Sequence, residues 1–169
     1  MRPKLFQEQR GRLIALSALL VFMVLLGMCL VVYGSRPVLR IRVDATGEVL
    51  REVPVTAGDE LYVAWLHSQE KIPWHEWYTV EKDGTMTLHT ISFPAFGPGI
   101  PCDKGVPRIK DGTIFFEQIE ETFPRFRWLN STFTKEIRLN GELIATGDDL
   151  PNHTILTLTI ERRGLLHGR

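Results

Sequence analysis

From Leu13 to Tyr33 the chain carries no charged side chain. A helix of that length rises roughly 30 Å, the thickness of a bilayer's hydrocarbon core. A secretory leader has a shorter apolar core, about 7–15 residues, followed by a small-x-small cleavage site. Here the run ends Val-Val-Tyr-Gly-Ser-Arg, a poor match. Leu26-Gly-Met-Cys29 resembles a lipoprotein signal only faintly, because Met28 is too large for that site and the apolar run continues past it. The sequence therefore reads as an uncleaved transmembrane anchor over residues 13–33.

Charge orients it. Arg2, Lys4, Arg10 and Arg12 precede the run against Glu8, whereas the chain after residue 33 has a small acidic excess. Positive residues stay on the cytoplasmic side, so the N-terminus is expected in the cytoplasm and the rest outside it. The mild acidity excludes a nucleic-acid footprint. The two cysteines, Cys29 and Cys102, fall in different compartments on this reading, so no intrachain disulfide forms and the domain must hold by core burial. The expected division is a basic cytoplasmic N-terminus (1–12), the anchor (13–33), a tether (34–37), an extracytoplasmic β-domain (38–161) and a loose tail (162–169).

Short alternating segments with frequent turn signals fill residues 38–161. Leu39, Ile41 and Val43 alternate with Arg40 and Arg42, the pattern of a half-buried strand. Further strands are expected at 48–53, 60–68, 75–82 and 85–92, the last two joined by Asp83-Gly84. Residues 93–102, with three Pro and two Gly, read as a rigid loop, and 103–112 as a polar one. Phe116, Ile119 and Phe123 at helical spacing before Pro124 suggest a short helix over 113–123. Residues 126–140 read as extended, Asn140-Gly141 is a hairpin signal, and 154–161 is a last strand. Eight or nine strands and at most one short helix point to a mainly β chain. The fold expected is an antiparallel β-sandwich or barrel-like domain, preceded by one N-terminal transmembrane helix.

Polar and aromatic chemistry is concentrated between Trp65 and Glu76, which hold two Trp, two His, two Glu and a Lys. Pairing strand 60–68 with 75–82 across a loop at 69–74 sets Ser68 opposite His75, His67 opposite Glu76 and Trp65 opposite Tyr78. The Asp83-Gly84 turn then sets Tyr78 opposite His89, so His67, Glu76 and His89 share one face. Ser68 falls on the other face, which separates it from His67 as a catalytic couple. The group admits three readings: a structural His67–Glu76 pair, a site for a ligand or partner, or a metal site on His67, Glu76 and His89. Trp65, Trp74 and Tyr78 would supply flat walls, and Lys71 a cation. No zinc-ligand spacing and no nucleophile elbow occurs, which weighs against an enzyme. No cofactor is expected. Asn130-Ser-Thr132 and Asn152-His-Thr154 match glycosylation sequons, and Trp128 reads as a core residue.

Gly58-Asp59-Glu60, Trp65-x-His67-Ser68, Lys71, Pro73-Trp74, Glu76, Phe93 and Gly97-x-Gly99-x-Pro101 together resemble the bacterial domain of unknown function DUF1850, over roughly residues 38–161. Pro98 stands where that family typically has a small residue. Such proteins are small, with an N-terminal hydrophobic segment, and are often encoded beside TAXI-type tripartite (TRAP) transporters. The resemblance implies an accessory role at the transporter's membrane subunit or solute receptor. It would be carried out in the inner membrane with the domain in the periplasm, and it implies no established activity. The expected binding residues are Trp65, His67, Lys71, Trp74, Glu76, Gly97, Gly99 and Pro101. The alternative is a periplasmic domain that binds a small ligand or a metal on its own.

Overall fold

Leu39, Ile41, Leu156 and Leu158 are wholly buried, and each sits two residues from its fellow, as the two-residue period of a one-faced strand requires. The computed structural model describes residues 15–29, 36–97 and 104–162, and residues 37–161 build eleven strands. They are β1 (Pro37–Val43), β2 (Val49–Pro54), β3 (Glu60–Leu66), β4 (Pro73–Val80), β5 (Met86–Phe93) and β6 (Val106–Lys110), then β7 (Thr113–Phe123), β8 (Phe126–Asn130), β9 (Thr134–Leu139), β10 (Glu142–Thr146) and β11 (Thr154–Arg162).

The strands form two antiparallel sheets. One has four strands in the order β2-β1-β11-β8; the other has seven, in the order β10-β9-β3-β4-β5-β7-β6. Neither closes into a barrel, so of the two expected architectures the sandwich is the one found. Their apolar faces share one core. Leu39, Ile41, Leu156, Leu158 and Ile160 of the smaller sheet meet Leu61, Val63, Met86, Ile91, Phe93, Phe116 and Ile137 of the larger.

Two segments depart from the sequence reading. Residues 113–123 are strand, not helix. Ile114 and Phe116 are buried in strand alternation, and then Ile119 is buried three residues later. Gln118 and Glu120 have positive φ, 59° and 45°, so a bulge shifts the parity and mimics helical spacing. The loop expected at 103–112 contains β6, joined to β7 by Asp111-Gly112 with φ of 51° and 76°. Two successive positive φ values are the type I′ geometry that Asp-Gly favours, and Asn140-Gly141 makes the same turn as expected.

Residues 15–29 are helical, with apolar side chains such as Leu16 and Leu20 exposed, and form a unit apart from Pro37–Glu161. Among the described residues no helix is long and apolar enough to cross a membrane. The flanks of the expected span, 13–14 and 30–33, lie outside the described residues, as do the basic segment 1–12, the first two residues of the tether and all but Arg162 of the tail.

The chain passes from the smaller sheet to the larger between β8 and β9, and Asn130 secures that crossing. It is wholly buried. Its Nδ2 donates to the carbonyls of Gly147 (2.9 Å), Leu150 (3.1 Å) and Pro151 (3.2 Å). An amide so engaged is closed to glycosylation in the folded domain. Asn130→Ala should destabilise the domain by about 1–3 kcal/mol, because it leaves buried carbonyls unpaired; a shift in the urea midpoint with an unchanged slope measures it.

Candidate functional site

The β3–β4 hairpin closes two residues earlier in the chain than expected. Leu66 pairs with Pro73, Trp65 with Trp74, Val63 with Glu76 and Leu61 with Tyr78. The turn continues inward: His67 N–H donates to Ile72 O (2.9 Å) and Lys71 N–H to His67 O (2.9 Å), with Lys71 at φ 56°. The connection is therefore 67–72, two residues earlier than the expected 69–74. This slips the expected pairing by four residues, and an even slip leaves every strand residue on its expected face. Trp65, Trp74, Glu76 and Tyr78 do share the inner face.

The expected His67–Glu76 pair does not form. His67 has left the strand, and its ring stacks on Trp74 with centroids 5.8 Å apart. Ser68, expected on the opposite face, also lies in the turn and lines the same cavity as His67. Among the described residues no hydrogen bond joins the two side chains; His67 Nδ1 accepts from Glu70 N–H at 3.4 Å. His89 is displaced by a bulge. Tyr78 pairs with Leu88 and Trp77 with Thr90, so His89 has no partner in the ladder, and its Nδ1 lies 3.0 Å from Thr90 Oγ1. The trio therefore does not converge, and among the described residues no group of three or more His, Cys, Asp or Glu is placed to hold a metal.

What the inner face supports instead is a cavity of about 880 Å³. It exists because four strands cannot cover seven. β8 is the edge of the smaller sheet, and the cavity lies between it and inner-face residues of β3, β4, β5 and β7. Trp65 and Trp74 from the hairpin, Phe126 and Trp128 from β8, and Leu88 and Ile91 from β5 line the space. Trp65 stacks against both Trp74 (6.3 Å) and Phe126 (6.0 Å), and Phe126 against Trp128 (5.4 Å), a continuous aromatic wall that crosses from one sheet to the other. Among the described residues the buried Trp128 Nε1 has no hydrogen-bond partner.

Glu76 lies on this apolar wall, 8% exposed. Trp74 Nε1 donates to its Oε1 (2.8 Å), and the Tyr78 hydroxyl donates to its Oε2. Burial raises its pKa above the usual carboxyl range, against the opposing pull of those two hydrogen bonds. The Tyr78 hydroxyl is itself pushed up, by burial first and by the Glu76 charge second. Lys104 and Glu121, also lining the cavity, form an ion pair at 2.5 Å.

Of the expected binding residues, Trp65, His67, Trp74 and Glu76 thus come together on one cavity. Lys71 does not join them: its Nζ donates to Ser68 O (2.5 Å) and lies 4.1 Å from the centre of the Phe133 ring. Gly97 packs against the Glu70 side chain, where a Cβ would come within 2.6 Å of Glu70 Cγ, a clash only that flexible side chain could relieve. Gly99 and Pro101 lie outside the described residues. Phe126, Trp128, Lys104 and Glu121 were missed. Trp128 and Phe126 alternate on one short strand, which signals a shared face but not what the face covers.

Residues 61–144 match the family described as a domain of unknown function (DUF1850). This segment is a DUF1850 domain. The match runs from β3 into β10, so it takes in most of the larger sheet together with β8, and with them the aromatic wall of the cavity. No curated protein and no solved structure matches the chain.

The raised pKa of Glu76 has a signed consequence. The unfolded chain releases this proton near 4.5, the folded chain at a higher pH. Between the two the folded state binds more protons, so this group's contribution to stability falls as pH rises through that window and is greatest below it. The wild type should therefore lose thermal stability relative to Glu76→Gln as the pH rises from 4 toward neutrality; a difference that stays flat with pH would refute the burial effect.

Proposed function

We propose that the DUF1850 domain of this protein is an extracytoplasmic binding module for a small molecule, tethered by the apolar run 13–33. The observation that carries the binding reading is the cavity: an aromatic-walled space of about 880 Å³ with one buried carboxyl group on its wall. Sites of that size, mostly apolar with a few fixed polar groups, are the usual form of small-ligand pockets. The hydrogen-bond donors on Glu76 orient the carboxyl group before any ligand arrives, which lowers the ordering cost of binding. The tether reading is supported by the uncharged run, by the basic residues before it and by the exposed apolar side chains of helix 15–29. A role beside a TRAP transporter rests on the family resemblance, and the cavity gives it a form: holding a molecule outside the membrane close to where it would be carried across.

Native mass spectrometry of the full chain released from lipid nanodiscs should show a bound small molecule or acquire one from a chemically diverse set. Trp65→Ala, which removes a wall, should weaken that binding about tenfold, a typical effect of losing one aromatic contact in a buried site. A cavity that stays empty, with no probe shifting the melting temperature, would refute the binding reading. The tether is tested separately. The full chain should stay with membranes through an alkaline wash, and release by that wash would refute it.

A further inference from the structure

The charges that line the cavity are unevenly matched. Lys104 is paired with Glu121, and Arg127 lies on Asp44, with contacts of 3.0 Å from Nε and 2.9 Å from its terminal nitrogen. Glu76, far more buried than any of these, accepts hydrogen bonds among the described residues only from the neutral donors of Trp74 and Tyr78, and the Lys104 charge that reaches it is opposed by that of Glu121. Both of those donors point at the carboxyl oxygens, an arrangement that suits an acceptor and therefore the ionised form. A carboxylate taken out of water with no cation bonded to it is costly, and the cost falls once a positive charge makes direct contact. The surroundings suit such a charge: indole and phenol faces are electron-rich and attract cations, most of all where water is excluded. Each Glu76 oxygen accepts one hydrogen bond from the protein and keeps a second lone pair for an incoming donor.

From the Glu76 carboxyl group on an aromatic wall, we infer that the cavity takes a protonated amine with an apolar body, its ammonium hydrogen-bonded to Glu76 and its body against Trp65, Trp74 and Phe126. This rests on the reading of the cavity as a small-molecule site and names the class of molecule. No covalent step is involved. Histidines do not compete for the role: His67 is stacked on Trp74 at the rim, and the exposed His153 lies on the loop before β11.

The test is titration of the full-length protein in lipid nanodiscs with benzylammonium, benzyl alcohol and benzoate, three probes of one shape and different charge. Indole N–H signals in NMR report binding. Trp65, Trp74 and Trp128 line the cavity, whereas Trp77 does not and serves as the internal control. Benzylammonium should bind at least about tenfold more tightly than the alcohol, with benzoate weakest, as a charge-assisted hydrogen bond requires. Glu76→Gln should erase the preference for the ammonium over the alcohol. If the alcohol or benzoate binds as well as the ammonium, the amine inference is overturned and the cavity reading stands. If no probe moves the three indoles, both fall. Should Glu76→Gln fail to fold, the ranking of the three probes on the unaltered protein decides the question alone.

Discussion

Four strands laid against seven cannot match the larger sheet strand for strand. This inequality governs the domain. Where the sheets overlap, Leu39, Ile41, Leu156 and Leu158 meet the larger sheet and are sealed from water. Where β8 ends the smaller sheet, large side chains must fill the gap or a hollow must remain. The chain does some of each: Phe126 and Trp128 reach from β8 toward Trp65 and Trp74, and a hollow persists behind them. Large rings span a wide gap between sheets, but their flat shape does not fill it, so aromatic side chains and a retained cavity go together.

A wholly apolar lining would have been the simplest way to stabilise such a hollow. Glu76 breaks that pattern at the middle of β4, flanked along its own face by Trp74 and Tyr78. The arrangement is local and self-contained: residues 74, 76 and 78 lie on one strand face by the two-residue period alone, so the donors reach the carboxyl without help from distant loops. Places where a sequence sets local consistency aside in its core are where function is to be sought.

Face and register were unequally legible in the sequence. Alternation assigned Trp65, Glu76 and Tyr78 to a common face, and a four-residue slip of the hairpin left that assignment intact because four is even; Trp74, expected in the loop, joins that face because β4 starts at Pro73. The pairing itself depended on where the turn closed. Lys71, a non-glycine residue in the left-handed region, closes it where a glycine would be the usual signal. The bulges at His89 and Gln118 were hidden for a related reason: an extra residue in a ladder has no local composition cue, and at Gln118 it imitated a helix. Asp111-Gly112 was legible and was passed over inside a polar stretch. The cavity could not be read at all, because Trp128 meets Trp65 through Phe126, across two sheets and more than half the length of the domain.

One end of the larger sheet shows how the fold sets its own limits. β6 is its outermost strand and all five residues are exposed, Ile109 among them at 73%. An open, partly apolar strand invites another chain to align beside it. Pro107 has no N–H to offer, Arg108 is paired with Glu117 of the neighbouring β7, and Lys110 adds a positive charge at the end of the same short edge. An approaching copy would meet an interrupted row of donors. Such an edge is a terminus in the sense a polymer chemist would use: it offers the next unit no full row of partners.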